Sequence, residues 1–131
     1  MKKVLLDTDI IIDFLRSGKD NLGIFQKIEK KEVLAYISCI TSFELYNGAL
    51  LSANPKQKLE GLARLFESIH IISFDNGQSY VASKVYAYLI KNGISLEIRD
   101  ILIAGCAISN NLKLSTLNKK HFSRIPELQI F

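Results

Sequence analysis

Residues 3–16 read KVLLDTDIIIDFLR. KVLL is a short apolar run of strand character, and the residues after it form a helix running through Arg16. Three acids, Asp7, Asp9 and Asp13, interrupt this otherwise apolar stretch. A buried carboxylate is costly unless something positive meets it. Such acids are consistent with a phosphatase nucleophile, a phospho-acceptor, a metal site or plain helix capping.

The alternation continues outward. RSGKDN breaks the first helix, and LGIFQKIEKK reads as a second. VLAYIS is a second buried strand, followed by the helix TSFELYNGALL with Thr41 as its N-cap. In PKQKLEGLARLFESI, Pro55 stands near the start, and Leu62, Leu65, Phe66 and Ile69 recur at the spacing of one helix face. HIISF is a third strand. Asp75 opens a long helix striped by Val81, Val85, Tyr88 and Leu89, which closes at Gly93, a residue suited to a left-handed C-terminal position. LEIRDILIAGCAISNN is a mostly buried helix, LKLST a fourth strand and LQIF a candidate fifth. Short apolar strands alternating with helices predict an α/β fold, with a parallel, Rossmann-like sheet of four to five strands covered on both faces. In such sheets functional groups gather beyond the carboxyl ends of the strands.

The 131 residues suit one domain spanning 1–131. With 48% hydrophobic and 23% charged residues, the composition excludes a disordered chain. The net charge of +4 and a pI near 9.1 are compatible with a polyanionic partner, and equally with simple solubility. Cys39 and Cys106 form no CxxC pair and lie among apolar neighbours, which is the pattern of reduced, buried thiols in a cytoplasmic protein. The opening MKK is not expected to act as a signal peptide, because aspartates interrupt the apolar stretch and no small-residue cleavage site follows. ILIAGCAI is far too short to span a bilayer, so no membrane association is expected.

The strand-end rule selects the acids that matter. Asp7 ends the first strand, Glu44 follows the second by a few residues, Asp100 heads the helix before the fourth, and Asn118 follows the fourth. Each has a plain alternative. Asp9 caps the first helix or favours its positive end. Glu44 completes the capping box TSFE, and Asp75 caps its own helix. Asp100 resists such a reading, because it heads a buried helix among Ile98, Ile101, Leu102 and Ile103. Arg99 is adjacent and faces another way on a helix. Three carboxylates within ~5 Å would cost about 10 kcal/mol at an effective dielectric near 20, a whole domain's stability. They must protonate or hold cations, and oxygen-only ligands suit Mg²⁺ or Mn²⁺ rather than zinc.

Together LLDTDIIIDFL, ISCITSFELYNGA, IRDILIAGCAI and LSTLNKKHFSRI resemble the PIN-domain nucleases, above all the VapC-type toxins of toxin–antitoxin pairs. The four motifs stand in family order and cover nearly the whole chain. The resemblance implies a PIN-like fold and a Mg²⁺- or Mn²⁺-dependent endoribonuclease. By position it makes Asp7, Glu44, Asp100 and Asn118 catalytic, with the metal on Asp7 and Asp100. Asn118 stands where many members carry a fourth acid, so it brings no charge. Thr8, Asp9, Glu97 and Thr116 are supporting residues. Partners implied are an RNA substrate, a VapB-like antitoxin and a second copy of the chain.

The segment from Lys113 to Arg124 holds Lys113, Lys119, Lys120, His121 and Arg124 without an acid. Lys113, Lys119, Lys120 and Arg124 are candidate contacts to RNA phosphates, or a merely solvated basic face. Neither His70 nor His121 has a partner identifiable in the sequence, and neither is expected to be a general base. Three rival readings remain. A haloacid-dehalogenase-like phosphatase would use the DxD of Asp7 and Asp9, but no paired acid follows a later strand. A phosphoryl-receiver domain would use Asp75. A PIN fold could also serve only as a binding module.

Overall fold

The computed structural model describes residues 1–131. Strand β1 (Lys2–Leu6) alternates its side chains between two apolar faces, as a strand buried on both sides must. Val4 and Leu6 enter one core and Leu5 the other. After β1 come α1 (Thr8–Ser17), α2 (Ile24–Glu29), β2 (Val33–Ser38), α3 (Cys39–Leu50) and α4 (Pro55–Phe66). Then follow β3 (His70–Ile72), α5 (Asn76–Lys91), α6 (Ile98–Ser109), β4 (Lys113–Ser115) and α7 (Lys119–Phe122). The sheet is wholly parallel in the order β3-β2-β1-β4. LQIF forms no full strand: Ile130 makes one parallel bridge to Leu114, and Phe131 N–H donates to the Leu114 carbonyl at 2.8 Å.

The first core packs α1, α3 and α4 on Val4, Leu6, Ala35 and Ile37, through Ile10, Ile11, Leu45, Ala49 and Leu62. The second packs α5, α6 and Phe122 on Leu5 and Leu114. The stripe on α5 is turned from the expected one. Gln78, Ala82, Val85 and Leu89 are buried, whereas Tyr88 is exposed. The reason is a close approach of α5 to α6: a Cβ placed on Gly105 would lie 2.8 Å from Ala82 Cβ and 3.1 Å from its Cα. Gly105→Ala gains about 1 kcal/mol of helix propensity. It must also push the α5 backbone away, and overpacking costs about 1–3 kcal/mol. A net loss of stability is expected, read as a lower urea midpoint; a raised midpoint would mean that the helices yield freely.

Other boundaries also shift. Ser38, not Thr41, caps α3, its hydroxyl accepting from Ile40 N–H at 3.1 Å. Gly93 takes the left-handed conformation (φ 66°) expected after α5. Asp75 caps α5 by accepting from Gln78 N–H at 2.9 Å. No helix of the chain is long and apolar enough to cross a membrane.

Candidate active site

The chain leaves β1 for β2 on one side, while β4 lies on the other. The crevice beyond the carboxyl ends of β1 and β4 is therefore a topological switch point, the place where an open α/β sheet presents ligand-binding groups. Asp7 N–H donates to the Ser115 carbonyl at 2.9 Å and ties the two strand ends together.

Asp7 is the N-cap of α1, with extended backbone and only 5% exposure. Its Oδ1 accepts from Thr8 N–H at 2.8 Å and its Oδ2 from the Thr116 hydroxyl at 2.8 Å. The cap predicted for Asp9 thus belongs to Asp7, which is the last residue before the helical turn. Asp9 lies in that first turn and reaches across to β4's end, 3.4 Å from Leu117 N and 3.4 Å from Thr116 Oγ1. Asp13 is remote from this group and accepts from the Asn21 side chain at 2.9 Å.

With Ser38 as cap, Glu44 falls on the second turn of α3 and plays no part in a capping box. Its Oε1 accepts from the Thr8 hydroxyl at 2.8 Å, and its Oε2 takes Arg99 Nη1 at 2.8 Å. Thr8 has one hydroxyl proton and gives it to Glu44, so Thr41 must donate to Thr8 across their 2.9 Å contact. Arg99 Nε also reaches Glu97 at 2.9 Å, so one exposed guanidinium bridges two acids. As expected for adjacent helix positions, it does not pair with Asp100.

Asp100 lies in the first turn of α6 and meets His121: Oδ2 stands 3.0 Å from Nε2. Sequence reasoning missed this contact, since 21 residues separate the pair. The available signal was spacing, because Asn118 immediately precedes α7 and His121 falls within that helix's single turn. His70 sits on edge strand β3 beside Tyr36, with ring centroids 5.3 Å apart. Asn118 N–H donates to Thr116 Oγ1 at 3.0 Å, and the residue lines the same cleft. Lys119 and Lys120 are exposed on α7 beside the cleft. Lys113 is set apart from them: it pairs with Val4 at the amino-terminal end of β4, away from the carboxyl rim. Arg124 is exposed and meets His121 at the surface, with Nη2 3.0 Å from Nδ1.

These side chains line one open, polar cleft of about 320 Å³, which brings Asp7, Thr8, Asp9, Glu44, Glu97, Arg99, Asp100, Asn118 and His121 together. A larger groove of about 900 Å³ shares none of these residues and is mainly apolar, so the chemistry lies in the smaller one. Burial, followed by the charge of Asp9, pushes the Asp7 carboxyl up to about 7. Burial also raises Asp9. The hydrogen-bond partners of this pair are hydroxyls and backbone N–H groups, with no cationic side chain among them. No three His, Cys, Asp or Glu side chains stand close enough to hold an ion as they are placed. The tight triad of touching carboxylates expected from the sequence is therefore opened out, with Arg99 and His121 occupying Glu44 and Asp100. The donor chemistry nevertheless fits a hard divalent cation: the carboxylates supply oxygen only, and Asp7 is buried with no cationic side chain bonded to it. The buried Cys106 thiol is pushed up to about 11 by its burial, which removes it as a thiolate nucleophile.

The PIN domain family model matches residues 4–128. The chain is 34% identical to Ribonuclease VapC1 of Methanocaldococcus jannaschii, over 95% of its own length and 82% of the relative's. It is 32% identical to Ribonuclease VapC of Rickettsia bellii, over 97% and 93% of the two chains. Among solved structures it resembles VapBC2 from Rickettsia felis bound to a DNA fragment from their promoter, with a TM-score of 0.91 and 27% identity over 98% of this chain and 97% of that one.

Proposed function

This chain belongs to the PIN-domain family, among the VapC ribonucleases, and from that premise we propose that it is the RNA-cutting toxin of a type II toxin–antitoxin pair, working at the acidic cleft with Mg²⁺ or Mn²⁺. The observation that carries the catalytic reading is the nearly buried Asp7, bonded to no cationic side chain and gathered with Asp9, Glu44 and Asp100 around one cleft.

Asp7 and Asp100 would hold the cation, with Asp9 close at hand. A bound Mg²⁺ or Mn²⁺ offsets charge on a scissile phosphate and lowers the pKa of water at the site. The chain's own groups do the remainder. Thr41 and Thr8 relay hydroxyl donors to Glu44 and fix its carboxylate, which orients an attacking water and accepts its proton. Arg99, exposed on the cleft wall, is the guanidinium within reach of a phosphate. Lys119 and Lys120 add positive charge beside it. Attack by water needs no covalent nucleophile, and Cys106 is a buried thiol. The phosphatase reading lacks its paired acid: β4 is followed by Thr116, Leu117 and Asn118. The receiver reading fails because Asp75 is a helix cap.

The VapBC complexes among the structural neighbours support a VapB-like antitoxin as partner. The apolar groove lined by Phe14, Leu15, Phe25, Ile28 and Leu65 offers one apolar surface for such a partner. A homodimer and a cytoplasmic location belong to the same reading, and exposed Phe43 and Leu50 of α3, with Leu51 at its C-cap, offer apolar area for the dimer.

The deciding experiment is cleavage of labelled RNA by purified, antitoxin-free protein. Cutting is expected with Mg²⁺ or Mn²⁺, to stop with a chelator and to return with excess metal. Undiminished cutting in metal-free buffer would remove the cation from the mechanism, and intact RNA under every condition would remove the ribonuclease.

A further inference from the structure

Asp100, His121 and Arg124 form a chain of contacts, of which the cleavage chemistry above uses only Asp100. His121 Nε2 lies 3.0 Å from Asp100 Oδ2, and its Nδ1 lies 3.0 Å from Arg124 Nη2. A guanidinium has donors and no acceptor. Nδ1 must therefore be the bare, accepting nitrogen, and the ring's single proton sits on Nε2 and is donated to Asp100. Arg124 Nε also donates to the His121 carbonyl at 3.2 Å, so one guanidinium holds both the ring and the backbone of the same residue. The neighbouring Phe122 is 1% exposed and anchors this turn in the core.

We propose that Arg124 and His121 are positioning residues: a rigid donor strut that sets the orientation of the Asp100 carboxylate. Arg124 acts through His121 and is not an RNA-phosphate contact. The strut engages one oxygen of Asp100 and leaves the other for a ligand in the cleft, the role that outer partners play for ligating carboxylates. Both ring nitrogens of His121 are occupied, so the imidazole has no free nitrogen for proton transfer. The catalytic consequence rests on the ribonuclease reading; the strut itself does not.

The tautomer is read directly from ¹⁵N-labelled histidine by NMR at neutral pH, with His70 as internal comparison. Nδ1 of His121 is expected to be bare and Nε2 protonated; the opposite tautomer overturns the strut. Its role is read from Mn²⁺ affinity by calorimetry and from single-turnover RNA cleavage, on variants whose circular-dichroism spectra match wild type. His121→Ala should weaken both by about 10–100-fold. His121→Gln should recover both to within about fivefold, because its amide donates to Asp100 and accepts from Arg124. Arg124→Ala should lose less than His121→Ala, and the double variant should be no worse than His121→Ala alone. Losses that multiply, with a shallower salt dependence for Arg124→Ala, would instead make Arg124 a phosphate contact. A wild-type protein that cuts no RNA counts against the ribonuclease, while the NMR and Mn²⁺ measurements still decide the strut.

Discussion

Asp7→Asn is expected to abolish RNA cleavage and, in metal-free buffer at pH 8, to raise the melting temperature of the protein. The two effects share a cause. In the folded chain the Asp7 carboxyl is raised from 3.8 to about 7, chiefly by burial and then by Asp9. Between those pH values the folded state holds a proton that the unfolded state lacks. Stability therefore falls as pH rises through this window and stays low above it. Asparagine cannot ionise, and it caps a helix as well as aspartate does. Its side-chain oxygen still accepts from Thr8 N–H, and the Thr116 hydroxyl can turn to meet the amide. The variant should gain roughly 1–3 kcal/mol at pH 8, which for a chain of this size is about 3–10 °C, and should melt with wild type near pH 4. A divalent cation that binds the folded state should narrow the gap at pH 8 by stabilising wild type alone. Parallel melting curves across the pH range would mean that Asp7 ionises without cost. A site that is destabilised until it binds its ligand is a familiar exchange of stability for activity.

Asp100→Asn is expected to lower cleavage by about 10³-fold or more while leaving the melting temperature nearly unchanged, since it removes a charge from the proposed cation site. The fold asks little of this carboxylate. Glu97, not Asp100, occupies the N-cap position of α6, and the one polar partner of Asp100 is His121. An asparagine oxygen still accepts from His121 Nε2–H, so the strut survives and only the charge is lost. The measurements are single-turnover cleavage and a thermal melt on the same preparation. Activity within tenfold of wild type would make Asp100 a structural residue. A melt lowered by ten degrees or more would mean that its charge supports the fold.

Much of the fold was legible because it is written in local periodicity. The α/β alternation, the two-faced burial of KVLL and VLAYIS, Pro55 at the start of α4, the Asp75 cap and left-handed Gly93 depend on residues a few positions apart. Where local signals compete, spacing alone does not decide between them. Thr41 and Ser38 are both good N-cap residues within one turn, and Glu44 spaced three after Thr41 imitates a capping box. The end of β2 decides in favour of Ser38, and Glu44 is then free to face the cleft. On α5, burial follows the Gly105–Ala82 approach rather than residue size, so Tyr88 lies outside the stripe that its spacing predicts.

By itself, the sequence determined which residue types could form the site and that Asp7 would stand at a strand end. Pairing the carboxylates was the work of the tertiary structure. Thr8 to Glu44, Arg99 to Glu44 and Thr116 to Asp7 are bonds across 36, 55 and 109 residues. No periodicity reaches that far. Each pairing depends on strand order: β4 beside β1 brings Thr116 to Asp7, and α3 packed against α1 brings Glu44 to Thr8. The same packing separates the basic residues. Lys113 goes to the far end of β4, while Arg124 folds back on His121. Charge alone, read along the chain, had placed them together; the position of each on a rigid sheet or turn decides what it meets.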